Sequence, residues 1–152
     1  MVKPIPDGYH SVTPYLYIRG AARAIEFYTR AFGATEVVRM DGQNGTVGHA
    51  EIKIADSTIM LADESPQMGA LSPQTIGGSA VSLLLYVTDV DTVFARAVKE
   101  GATVERPVAD QFYGDRMGGV KDPFGHVWFI ATHVEDVSPE EMKRRMAKMT
   151  AP

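Results

Sequence analysis

The chain echoes itself at a spacing of 69 residues, counted from Tyr17 to Tyr86, and that echo constrains its fold more than any other feature. At the same spacing Thr13 meets Ser82, Ala21 meets Val90, Ala24 meets Val93 and Ile25 meets Phe94. Gly33-Ala34-Thr35 returns one residue early as Gly101-Ala102-Thr103, so the second helix is shorter by one. The spacing is then restored, with Ile59-Met60-Leu61-Ala62 matching Trp128-Phe129-Ile130-Ala131. Matches kept in order over most of a 152-residue chain imply two related halves. Together they make one domain of ordinary size.

Each half reads as βαβββ. Ser11 to Ile18 is β-rich and ends at Gly20, which predicts a strand. Ile25, Tyr28 and Phe32 then recur at helical spacing over 22–32, with Gly33 as the stop. Further strands are expected near 35–40, 46–54 and 58–63. In the second half, Asp89 or Asp91 caps a helix striped by Val90, Val93, Phe94, Ala97 and Val98 and ended by Gly101. Strands are expected after it near 103–106, 112–120 and 126–132. Module one covers about 10–64, a Pro- and Gly-bearing linker 65–79, and module two 80–134. Ser138-Pro139-Glu140-Glu141 is a capping box that opens a C-terminal helix over about 138–149. Its Met142, Met146 and Met149 share a face, available to the chain's own body or to a second subunit. The expected fold class is α+β: two βαβββ modules forming a cupped mixed sheet, with helices outside.

Composition narrows the function. There is no cysteine, which excludes disulfides, thiolate metal sites and cysteine nucleophiles, and suits a reducing cytoplasm. Fifteen Lys and Arg against nineteen Asp and Glu leave a net charge of −4 and no basic stripe, so no nucleic-acid partner is expected. The longest apolar stretch, Val81 to Val87, is far below the ~20 residues of a membrane span, and the N-terminus does not read as a signal peptide. No P-loop, GxSxG or strand-borne GxGxxG occurs.

Strand alternation divides the side chains between two faces. The aliphatic set, including Leu16, Ile18, Ala50, Ile52, Ile54, Leu83, Leu85, Trp128 and Ile130, should face the helices. Tyr15, Tyr17, His49, Glu51, Lys53, Tyr86 and Phe129 are then left for the opposite face.

The module pattern resembles the vicinal oxygen chelate superfamily, the glyoxalase and bleomycin-resistance fold. The resemblance covers residues 10 to 134. It rests on Ala24-Ile25-Glu26-Phe27-Tyr28 with Ala31-Phe32-Gly33, on Val87-Thr88-Asp89-Val90-Asp91, and on Asp122-Pro123-Phe124-Gly125. Gly48-His49-Ala50-Glu51, Gly114-Asp115-Arg116 and the run from Asp122 through Trp128 to His133 are similar to the PhnB-like subgroup.

The resemblance implies that a divalent metal, where one is used, is held by His, Glu or Gln on the first, fourth, fifth and eighth strands. The corresponding positions here are Thr13, Met60, Ser82 and Phe129, and none is a carboxylate or imidazole. Hydroxyl, thioether and phenyl groups are poor ligands for such ions. No metal and no other cofactor is therefore expected. His49 and Glu51 could share an ion only with a third partner such as Asp115, His126 or His133. A polar pair on a half-exposed strand is the simpler reading.

The expected function is binding of a small hydrophobic or aromatic molecule in a concave pocket. The alternative is a PhnB-like enzyme, a lyase, dioxygenase or methyltransferase-like protein with a displaced or absent metal. Candidate ligand contacts are Tyr15, Tyr17, His49, Glu51, Met60, Tyr86, Tyr113, Arg116 and Phe129, with Phe112 as a further stacking wall. Asp115-Arg116 reads either as an ion pair fixing its loop or as a ligand-orienting group. The resemblance also implies a homodimer.

Overall fold

The computed structural model describes residues 1–151. They divide into two compact units, Met1–Ala80 with Pro123–His126, and Val81–Asp122 with Val127 onward.

The first unit carries β1 (Tyr15–Ile18), α1 (Ala21–Phe32), β2 (Thr35–Asp41), β3 (Val47–Ile54), β4 (Ser57–Asp63) and the short α2 (Pro73–Ile76). Its sheet has the order β1-β4-β3-β2, with β1 parallel to β4 and the other pairs antiparallel. The second unit carries β5 (Ser82–Tyr86), α3 (Val90–Lys99), β6 (Thr103–Asp110), β7 (Asp115–Lys121), β8 (Val127–His133) and α4 (Pro139–Thr150). Its order, β5-β8-β7-β6, repeats that of the first, again with one parallel pair. Two βαβββ modules and a C-terminal helix are thus present.

Helix α1 forms where apolar side chains recur at helical spacing, and it buries Ala21, Ala24, Ile25, Tyr28, Ala31 and Phe32. Each large side chain among them contributes about 1.5–3 kcal/mol by leaving water. The helix stops at Gly33, whose φ of 71° is open to glycine and whose N–H bonds the Thr29 carbonyl. Its start is less usual. Gly20 has no side chain to cap with, so Asp63 at the end of β4 accepts from the N–H groups of Gly20 (2.9 Å) and Ala21 (3.1 Å). The other Asp63 oxygen accepts from Val47 N–H at 2.7 Å, joining β3 to the same carboxylate.

Alternation is clear in β3, where Ala50, Ile52 and Ile54 are buried and His49, Glu51 and Lys53 take the other face. In the second unit, Trp128 and Ile130 lie in the core, and Trp128 Nε1–H donates to Asp122 at 3.0 Å.

Several boundaries differ from expectation. β1 begins at Tyr15 rather than Ser11, because Thr13 Oγ1 bends back to the His10 carbonyl and Pro14 has no N–H for the ladder. β6 runs on to Asp110 through Pro107, tolerated on an edge strand whose register already shifts around Arg106. β7 begins at Asp115, since Gln111 and Gly114 close a turn before it, with Gln111 N–H on the Asp115 carbonyl at 2.7 Å. The linker is also ordered. Ser72 caps α2, and Glu64 accepts from Thr75 Oγ1 (2.6 Å), Arg19 Nε (3.0 Å) and Ser72 N–H (3.2 Å). These bonds, Thr75 first, hold the Glu64 carboxyl down at about 2.

The capping box of α4 forms, with Glu141 N–H on Ser138 Oγ. Met146 and Met149 are exposed, however, and the helix is held by Arg145, which donates to the Phe112 carbonyl and to both Glu135 oxygens.

Candidate functional site

Pairing in register puts residues of one face abreast. In the first sheet Tyr15 lies beside Met60, and Met60 beside Glu51. Val38 is next to Glu51 and Met40 next to His49 on the outer strand. The face opposite α1 is therefore a row of tyrosine, thioether and carboxylate, and Val38 and Met40 are exposed on it.

Tyr15 and Tyr17 stand two residues apart on β1, with ring centroids 5.1 Å apart and planes tilted by 39°. Both are more than a third exposed. Tyr15 also leans on the His49 ring at 5.5 Å. A hydrogen-bonded chain runs beneath them. Tyr15 Oη and His49 Nδ1 are 2.8 Å apart, His49 Nε2 and Glu51 Oε1 are 3.0 Å apart, and Tyr9 Oη donates to Glu51 Oε2. Tyr9 reaches the sheet because the Gly8 carbonyl is pinned by Thr58 Oγ1 at 3.0 Å. Burial, and then the neighbouring Tyr17, push the Tyr15 phenol up.

The second sheet has another arrangement at matching positions. Leu84 lies beside Phe129, and Phe129 beside Gly119. The Phe129 ring lies so close to Gly119 that a Cβ there would sit 2.9 Å from ring Cε1, so glycine makes room for it. The Arg106 guanidinium stands 5.7 Å from the Phe129 centroid, within cation–π range. Polar groups gather at the end of the face instead. Tyr86 Oη donates to Asp115 Oδ2 at 2.7 Å, and Asp115 Oδ1 meets His133 Nδ1 at 2.7 Å. His133 Nε2 meets Asp136 at 2.8 Å. Asp136, then Asp115, hold the imidazole above its usual range, as expected for a cation between two carboxylates. The bond to Asp115 raises the Tyr86 phenol.

The structure therefore gathers Tyr15, Tyr17, His49, Glu51 and Met60 on one sheet face, and Tyr86 and Phe129 on one face of the other sheet. Tyr113 Oη lies 3.5 Å from Met117 Sδ and its ring meets Phe112 edge-on at 5.2 Å. Arg116 is not brought to either group. It points to the helix side and grips Asp91 with two bonds of 2.8 and 2.9 Å, plus Asp110 at 3.2 Å. Those carboxylates, Asp91 first, raise its pKa further. Asp115 is engaged by Tyr86 and His133 instead of its neighbour.

The metal positions of the family were tested on their donor chemistry. Met60 is in the sheet beside Tyr15, and Thr13 precedes β1. Ser82 lies beside Val127, and Phe129 is wedged on Gly119. These residues do not fit a divalent ion. Among the described residues no group of three or more His, Cys, Asp or Glu is placed to hold one. No helix among them is long and apolar enough to cross a membrane.

A cleft of about 530 Å³ lies elsewhere, between the outer side of α1 and β2, lined by Ile25, Glu26, Arg30, Thr35, Glu36 and Arg39. It is shallow and shares no residue with the tyrosine face.

Residues 9–130 match the glyoxalase/bleomycin resistance protein/dioxygenase superfamily. The chain belongs to that family. Uncharacterized proteins of Mycobacterium bovis and Mycobacterium tuberculosis are 42% identical to it over 140 residues. The match covers 90% of this chain, with 92% of the M. bovis protein and 82% of the M. tuberculosis protein. Among solved structures, an Arabidopsis thaliana gene product superposes with a TM-score of 0.66 at 28% identity, over 81% of this chain and 98% of that one. TioX from a Micromonospora species gives 0.64 at 23% identity, over 85% and 100%. A PhnB protein from Bacillus cereus gives 0.63 at 21%, over 81% and 99%. At the last two identities the likeness is one of fold.

Sequence reasoning about this glyoxalase-family chain missed Tyr9, Arg106 and the role of His133. Tyr9 follows Pro6-Asp7-Gly8 in an arm with no periodicity, so nothing local announces its contact with Glu51. His133 had a readable signal, because Asp136 follows it by three residues.

Proposed function

We propose that this chain binds a small hydrophobic or aromatic molecule against the Tyr15–Tyr17 face of its first sheet, with no resident metal. One observation carries the reading. Two exposed, tilted tyrosine rings stand 5.1 Å apart beside Met60, while the His49–Glu51 pair supplies a few fixed polar groups at their edge. Apolar walls with a small number of placed polar atoms are the usual make-up of a small-molecule site. Tyr86 and Phe129 offer a second surface of similar kind on the other sheet, with Tyr113 in the loop before β7. Arg116 pairs with Asp91 and Asp110 on the helix side of its sheet. The family resemblance and the cysteine-free composition support a cytoplasmic homodimer.

A thermal-shift series of flat aromatic compounds against aliphatic phosphonates tests this. Aromatics should raise the melting temperature, and Tyr17→Ala should weaken their binding about fivefold, the worth of one aromatic contact. Elemental analysis should find well below one divalent ion per chain. A response confined to the phosphonates, or stoichiometric metal held through His49 and Glu51, overturns the reading.

A further inference from the structure

We infer that the inner-face tyrosine hydroxyls select a ligand that donates hydrogen bonds, such as a phenol or an N–H heterocycle, over one that only accepts them. The inference rests on the aromatic-binding reading and specifies its ligand class.

The argument follows the protons. An ionised carboxylate only accepts, and a neutral imidazole has one donor nitrogen and one acceptor. Glu51 takes Tyr9 O–H on one oxygen and faces His49 Nε2 with the other. The proton of His49 must therefore sit on Nε2, pointing at Glu51. Nδ1 is left with its lone pair, aimed at Tyr15 Oη 2.8 Å away. Tyr15 must then donate its only proton inward. Its oxygen turns lone pairs, and no proton, toward anything lying on the exposed side of the ring.

Tyr86 reaches the same state by another route. Its proton goes to Asp115 Oδ2, while Asp115 Oδ1 is taken by His133, itself anchored on Asp136. Two different acceptors, an imidazole nitrogen and an aspartate, thus commit both phenol protons to the protein. A ligand carbonyl or ether oxygen set against either hydroxyl would meet lone pairs. An O–H or N–H would find a polarised acceptor.

The groups facing His49 are Tyr15, Glu51 and, through Glu51, Tyr9, with the uncharged Met40 on the neighbouring strand.

The test compares 1-naphthol with 1-methoxynaphthalene by calorimetric titration, in the wild-type chain and in the Tyr15→Phe/Tyr86→Phe double variant. Naphthol should bind about five- to tenfold more tightly to the wild type, the usual worth of one hydrogen bond. In the double variant that ratio should fall to about one, with a far-ultraviolet circular dichroism spectrum matching the wild type to show that the variant is folded. Equal binding of the two compounds by the wild type, or a preference that survives in the double variant, overturns the inference and leaves the aromatic reading standing. Failure of both compounds to bind overturns both. Nitrogen-15 shifts of the His49 ring give a ligand-free check: a proton on Nδ1 instead of Nε2 overturns the inference.

Discussion

At the start of its helix the first half of the chain leaves Gly20 bare and borrows the carboxylate of Asp63 from the end of β4. The second half has Asp89 at the matching place, which caps its own helix through Thr92, and Thr132 stands where Asp63 would be. Thr132 accepts from Val90 N–H at 2.9 Å and passes its own proton to the Val87 carbonyl. The same junction of strand, helix and strand is thus closed once by a distant carboxylate alone, and once by the local Asp89 together with the distant Thr132. The sheet faces away from the helices diverge in the same way. Met60 and Phe129 hold matching positions, yet Glu51 stands beside the first and Gly119 beside the second. What the repeat preserves is strand order, register and the buried side; what it leaves free is the chemistry of caps and of the exposed face.

Urea unfolding of single variants can break or sharpen that contrast. Asp63→Ala should have the largest effect, about 3 kcal/mol or more, because three backbone N–H groups lose their acceptor together. Thr132→Val, which keeps its shape but deprives the Val90 N–H of its acceptor and the Val87 carbonyl of a donor, should cost about 1–2 kcal/mol. Asp89→Ala should cost about 1 kcal/mol, as an ordinary cap does. Equal losses for Asp63 and Asp89 would erase the distinction between remote and local capping.

Smaller differences should appear along pH. Glu64, held at about 2, contributes stability that is complete above its ordinary value near 4.5 and is lost as pH falls through 2. Glu64→Gln should flatten that acid limb. His133 has the opposite sign. Its raised pKa contributes stability that is complete below its ordinary value near 6.5 and is lost as pH climbs through the raised one. His133→Gln should flatten the neutral-to-alkaline limb and leave the acid one unchanged. The smallest effect is expected at the proposed binding face, where Tyr17→Ala should alter stability by less than about 0.5 kcal/mol while weakening aromatic ligands.

The buried side of this architecture was legible because it obeys period and packing: Ala50, Ile52 and Ile54 alternate as they must, and Ile25, Tyr28 and Phe32 return at helical spacing. The tyrosine face was legible too, as the other half of the same alternation. The ion-pair partners of Arg116 were not legible, because Asp91 and Asp110 are brought to it by α3 and β6 while its neighbour Asp115 turns to the opposite side. Tyr9 reaches Glu51, and Asp63 the start of α1, across 42 residues or more, and contacts of that span follow from tertiary placement, which no local pattern encodes. Thr13 and Pro14 shortened β1 through turn chemistry that competes with β-propensity.

The two helix starts are not interchangeable parts. Gly20 sits at φ 93°, a conformation that L side chains rarely adopt, and a Cβ there would come within 2.8 Å of the Arg23 guanidinium. Copying the second half's aspartate into the first, as gene conversion between duplicated segments would do, should therefore damage the junction it ought to reinforce. The two halves therefore share a strand order but not an exchangeable set of junction residues.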